Sequence, residues 1–224
     1  MSSKSVIVNT LTFSRVPLIV AWLVLAVVED FYPSIWLIVS AAVCMFLSGI
    51  TDALDGMLAR KWNVVSPLGK MADPLMDKVF YVVTFPALSW LLLNQGSGEM
   101  LHSFVMLLFA ILYILRDLWV TFLRAVGSLY GADGAAMWLG KVRTALSFPA
   151  AGWVYAYVAF HDFPVFAPAK EYMLWSCYAV EALMIALNII SSYTYTKAYL
   201  PYLKKALLAS EQNETPRASK MRQY

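Results

Sequence analysis

The chain has 224 residues, of which 61% are apolar and 14% charged, with a formal net charge of +3. Soluble domains run about 45–50% apolar and roughly 25% charged, so the composition excludes an ordinary soluble domain and points to a bilayer protein. The small positive charge is no footprint for nucleic acid, and the two cysteines, Cys44 and Cys177, lie in apolar runs without metal-ligand spacing.

A membrane-crossing helix needs about 20 mostly apolar residues. Six stretches qualify, giving an all-α integral membrane protein of six transmembrane helices. They run from about Val6 to Val28, Ser34 to Trp62, Ala72 to Asn94, Leu101 to Gly127, Met137 to Phe160 and Tyr172 to Tyr199. The first lacks a small-residue cleavage site and reads as a retained helix, not a cleaved signal. Residues 1–209 form one membrane domain. Residues 210–224 are polar and read as a disordered cytoplasmic tail.

Six spans put both termini on one side. That side then holds 16 basic residues and the other only Lys170, together the 17 of the chain. By the positive-inside rule the termini are cytoplasmic. Glu29, Asp30, Glu99, Asp162 and Glu171 read as solvated charges of the outer links, and His102 and His161 as solvated or interfacial side chains. Glu181 lies inside the sixth span and calls for a helix or oligomer partner. The tryptophans and tyrosines suit interfacial belts.

The chemistry concentrates between residues 52 and 77. Asp52, Asp55, Gly56 and Ala59 share one helical face at the inner end of the second span. Asp73 and Asp77 share a face at the start of the third. A short link lets the two helices run antiparallel and bring these faces together. Four carboxylates at membrane depth repel one another, and burial adds to the cost. They either share protons or bind cations, and hard divalent ions favour carboxylate oxygens. Ionisable residues in a membrane mark function by default. On spacing alone the four aspartates are interchangeable. Gly56 and Ala59 leave the helix face bare, and Arg60 lies one turn on.

The stretch resembles the signature of the CDP-alcohol phosphotransferases, Asp-x2-Asp-Gly-x2-Ala-Arg-x8-Gly-x3-Asp-x3-Asp. Asp52, Asp55, Gly56, Ala59, Arg60, Gly69, Asp73 and Asp77 fill all eight fixed positions. At roughly one in fifteen per residue type, a chance match is on the order of 10⁻⁹ per starting position. Asn9-Thr-Leu-Thr12-Phe-Ser-Arg15 is similar to the family's first-helix motif. Arg116-Asp117, Arg124 and Gly140-Lys141-Val-Arg143-Thr144 are similar to stretches of the bacterial members that make phosphatidylglycerophosphate.

The resemblance implies transfer of a phosphatidyl group from CDP-diacylglycerol to an alcohol, with release of CMP. It implies divalent metal, Mg²⁺ or Mn²⁺ and two ions, and a homodimer of six-helix protomers among membrane lipids in a bacterial inner membrane. Carried over by position, Asp52, Asp55 and Asp73 are the principal metal ligands. Asp77 is the base that takes the acceptor proton and touches metal as well. Asp52, Gly56, Ala59, Arg60 and Gly69 bind the CDP donor. The basic residues Arg116, Arg124, Lys141 and Arg143 suit an acceptor phosphate, since arginine forks onto phosphate with two hydrogen bonds. Glycerol 3-phosphate is then the expected acceptor, with inositol phosphate its rival. A cation transporter built on the aspartates is the alternative of another class, but no matching acidic set crosses to the outer side.

Overall fold

The computed structural model describes residues 3–64, 67–132, 137–160 and 163–221; the side chains of 67, 68, 70, 71, 73, 74 and 210–221 lie outside the description. Six long helices follow in order: α1 (Ser3–Phe31), α2 (Ile35–Trp62), α3 (Pro67–Asn94), α4 (Met100–Leu129), α5 (Trp138–Phe160) and α6 (Lys170–Met221). Short 3-10 turns, Ser97–Glu99 and Pro164–Ala169, precede α4 and α6.

The all-helical expectation holds, and five of the segments are long and apolar enough to cross a bilayer: Ser3–Phe31, Ile35–Trp62, Leu75–Asn94, Ser97–Leu129 and Pro164–Ala209. Their outer faces are apolar. Trp36 is 77% exposed, Phe46 65% and Leu101 66%. Side chains of this kind on a folded surface need lipid rather than water, so the chain is an integral membrane protein. The sixth expected span, α5, has 23 residues, about 34 Å at 1.5 Å per residue. It opens with Lys141 and Arg143 and is then diluted by Gly152, Pro149, Trp153, Tyr155 and Tyr157, so it lacks the uniform apolarity of the other five.

The third helix begins at Pro67, five residues before the expected start near Ala72. Proline suits the first helical position, where its missing N–H bonds nothing, so the polar stretch that reads as a link is the first turn of a helix. Asn63 ends α2 in the left-handed region (φ 52°), with its N–H donated to the Arg60 carbonyl at 3.3 Å. Asparagine tolerates that conformation and makes a sharp stop directly after the motif residues.

The described residues fall into two compact units, Met1–Ile111 with Thr144–Leu183, and Leu112–Arg143 with Met184–Tyr224. In the first unit α1 packs against α2 and α3. The buried positions of α1 are Val8, Asn9, Thr12, Arg15, Ile19, Trp22 and Ala26. Their alternating spacing of three and four is that of one helical face. Aromatic contacts add to this core: Trp22 meets Tyr155 edge-on at 5.6 Å, and Phe80 stacks on Phe148 at 4.6 Å. In the second unit Val120, Leu123, Tyr195 and Tyr199 form a core beside Ala132, Met137, Tyr202 and Leu203.

Gly49 is where α2 comes closest to the Phe148 ring, so close that a Cβ there would overlap the ring. Phe148 is held by its stack on Phe80 and yields only with strain. Gly49→Ala should therefore cost about 1–3 kcal/mol, read as a lowered thermal midpoint in detergent. Pairing it with Phe148→Leu should restore most of the loss.

The first unit also overturns part of the charge reading. Glu99 and His102 are not solvated: they are 6% and 1% exposed, and Glu181 is 2% exposed. His102 Nε2 lies 3.0 Å from Glu181 Oε1, and His102 Nδ1 lies 3.5 Å from Glu99 Oε2. The Tyr157 hydroxyl donates to Glu99 Oε1 at 2.6 Å. The partner expected for Glu181 is thus a histidine of the same chain. Position beside a span end predicts solvation, but here the 3-10 turn folds Glu99 inward and one helical turn carries His102 to the same side. His161 and Asp162 lie outside the described residues.

Candidate active site

The acidic cluster is assembled by three helices of the first unit. Arg15, on α1, lies at its centre with a side chain only 3% exposed. Its Nη1 is 2.7 Å from Asp52 Oδ1 and 3.1 Å from Asp77 Oδ1. Its Nη2 is 2.6 Å from Asp55 Oδ2. The Thr12 hydroxyl, one turn earlier, also reaches Asp55 Oδ2 at 2.7 Å. A buried guanidinium needs carboxylates, and carboxylates at membrane depth need a cation, so each makes the other's burial tolerable.

The members differ in exposure. The Asp55 side chain is 3% exposed, that of Asp77 37% and that of Asp52 56%. Asp55 is therefore the anchored member, while Asp52 and Asp77 face open space. The structure thus brings Asp52, Asp55 and Asp77 together from α2 and α3. Asp73 lies on α3, but its side chain is outside the described residues. Gly56, Ala59 and Gly69 are half-buried and Arg60 is exposed. The Arg60 guanidinium folds back over Gly56, where a Cβ would stand 3.6 Å from Nη1.

Sequence reasoning left Thr12 and Arg15 out of the site. The signal was present: an arginine and a threonine interrupt the apolar face of α1, and a charge in that position needs a counter-charge.

The basic residues lie in the second unit. Arg116 Nη1 donates to Asp117 Oδ1 at 3.0 Å and Nη2 donates to the Ser191 hydroxyl. Its guanidinium lies over the Tyr195 ring, 5.0 Å from the centroid. Arg143 Nη1 donates to Asn188 Oδ1 at 3.1 Å, and Nη2 pairs with the same Asp117 oxygen. Its guanidinium lies 3.8 Å from the centroid of Tyr113. Asp117 thus holds both arginines. Gly140 leaves room for Arg116 and Tyr195, since a Cβ there would stand 3.4 Å from Arg116 Nη2 and 3.1 Å from the Tyr195 hydroxyl. Lys141 is exposed and Arg124 half-buried.

A family model described as CDP-alcohol phosphatidyltransferase matches residues 5–191. The chain belongs to this family. The match takes in Thr12, Arg15, the eight signature positions, Arg116, Lys141 and Arg143. A CDP-diacylglycerol–glycerol-3-phosphate 3-phosphatidyltransferase of Salmonella typhimurium strain LT2 is 30% identical over 156 residues, covering 67% of this chain and 81% of the relative. The protein of the same description from Escherichia coli strain K12 is 29% identical over 152 residues, covering 65% of this chain and 79% of the relative. The chain is a membrane-embedded phosphatidyltransferase of phospholipid biosynthesis.

Proposed function

We propose that this phosphatidyltransferase moves the phosphatidyl group of CDP-diacylglycerol to glycerol 3-phosphate, giving phosphatidylglycerophosphate and CMP. The observation that carries the reading is the gathering of Asp52, Asp55 and Asp77 around one cation, within a complete family signature. The acceptor is supported by relatives named for that substrate pair and by the paired arginines on Asp117.

The donor set fits a divalent metal. Three carboxylates face a single guanidinium, so two negative charges among these four groups are left for a further cation, and every donor is the hard oxygen that Mg²⁺ or Mn²⁺ prefers. Asp52, Asp55, Asp73 and Asp77 would hold it, as one or two ions. When bound, the metal neutralises the donor's pyrophosphate and the leaving oxygen of CMP.

The remaining work belongs to the chain. Gly56, Ala59 and Gly69 offer a bare surface to the CDP moiety, and Arg60, folded over Gly56, reaches its phosphate. Arg116, Arg124, Lys141 and Arg143 hold the acceptor phosphate. Asp77, partly open to its surroundings, takes the proton of the acceptor hydroxyl. That oxygen bonds to the lipid-side phosphorus in line with the departing CMP oxygen, a displacement that needs position above all. The acyl chains stay in the bilayer throughout.

The same reading places α5 across the membrane as a sixth span, with both termini and the aspartates on the cytoplasmic side of a bacterial inner membrane, because only that count gathers the basic residues on one face. It also takes the protomer to work as a homodimer.

An acceptor panel tests the function. Purified protein with CDP-diacylglycerol and Mg²⁺ should release CMP with glycerol 3-phosphate at least tenfold faster than with inositol phosphate, serine or water. Faster release with inositol phosphate moves the acceptor; no release with any alcohol rejects the enzyme reading and favours an ion path.

A further inference from the structure

Among the described residues no three His, Cys, Asp or Glu side chains are gathered as a ready metal cage. The three aspartates are arranged instead around Arg15, whose nitrogens stand 2.6–3.1 Å from an oxygen of each. Arginine does not lose its charge in proteins, so it cannot make way by shedding a proton. A guanidinium and a divalent ion drawing on the same oxygens repel each other over a few ångström, in surroundings where such repulsion is weakly screened.

Thr12 separates the fates of the three carboxylates. It bonds Asp55 independently of Arg15, and Asp55 is buried, so that carboxylate stays placed whatever the arginine does. Asp52 and Asp77 are the more open members, and both meet Arg15 through the same nitrogen, Nη1, at 2.7 and 3.1 Å.

We propose that Arg15 is the positioning residue of the aspartate cluster: it holds Asp52 and Asp77 beside Asp55 while metal is absent, and it gives up contacts to them when a divalent ion binds, so that its charge sets the cluster's metal affinity. The inference rests on the metal-assisted reading above. Arg15 acts through the aspartates and needs no contact with either substrate.

The test is Mn²⁺ binding to purified protein in detergent without substrates, followed by electron paramagnetic resonance. Arg15→Gln removes the competing charge and should bind Mn²⁺ at least tenfold more tightly than wild type. Arg15→Lys keeps the charge but not the two-armed fork, and should fall between them. In EDTA the thermal midpoint of Arg15→Gln should lie below wild type, and Mn²⁺ should raise it more than it raises wild type. A residue that merely held the fold together would weaken Mn²⁺ binding when replaced. Equal or weaker binding by Arg15→Gln overturns the inference. Should that variant fail to fold, Arg15→Lys decides, and binding no tighter than wild type overturns it. If wild type itself binds no Mn²⁺, the metal-assisted reading falls and takes this one with it; if all three proteins bind alike, the role of Arg15 falls alone.

Discussion

Asp77→Asn should cut the rate of CMP release by roughly 10²–10⁴-fold, the usual contribution of a positioned base, while CDP-diacylglycerol still binds. Asparagine has nearly the same shape and keeps an oxygen for Arg15 Nη1, which now stands 3.1 Å from Asp77 Oδ1. Asp52 and Asp55 retain their own contacts to the same guanidinium at 2.7 and 2.6 Å. The cluster should therefore keep its arrangement and lose one charge and one proton acceptor. Asp77 differs from Asp55 in being 37% rather than 3% exposed, which suits a group that must meet an incoming hydroxyl and afterwards pass its proton on. Single-turnover CMP release at saturating metal, beside equilibrium binding of the donor, separates the two roles. Loss of donor binding in step with turnover would make Asp77 chiefly a metal ligand. Full turnover would show that another group takes the proton.

The acidic motif was legible because its spacing is local. Residues three and four apart on a helix share a face whatever the rest of the fold does, so Asp52 with Asp55, and Asp73 with Asp77, could be paired from sequence. What they pair with was not local. Arg15 lies 37 positions before Asp52, on another helix, and only packing of α1 against α2 and α3 brings it in. The same limit explains Glu99 and His102. Their position beside a span end suggested solvent, and nothing nearby in sequence announced Glu181, 79 positions after His102. Glu181 was the better clue, since a carboxylate within an apolar helix has to find a partner. Asp117 was seen beside Arg116, but its second arginine, Arg143, comes from α5. The apolar lengths gave six candidate spans, of which five coincide with helices long and apolar enough to cross a bilayer. The fifth helix in chain order, read from sequence as a span over Met137 to Phe160, falls outside those five, and its proposed placement across the membrane rests on the parity of the charge count.

The largest stability effect should come from His102→Leu. Glu99, His102 and Glu181 have side chains 7%, 1% and 2% exposed, with the imidazole between the two carboxylates. Leucine fills a similar volume but removes the group that both acids face. Tyr157 still donates to Glu99 at 2.6 Å, so Glu99 keeps a partner. Glu181 loses the contact at 3.0 Å and is left in an apolar span. Breaking a buried pair from one side typically costs roughly 3–5 kcal/mol, which for a chain of this size lowers the thermal midpoint by on the order of 10 °C. Replacing both sides behaves differently, because apolar groups of similar volume need no partner. His102→Leu with Glu181→Leu should therefore regain most of what the single change loses. CMP release measured well below the midpoint should stay near wild type in both variants, since neither residue belongs to the aspartate cluster. A single variant within about 1 kcal/mol of wild type, or a double variant less stable than the single, would mean that these contacts contribute little to the packing of these helices.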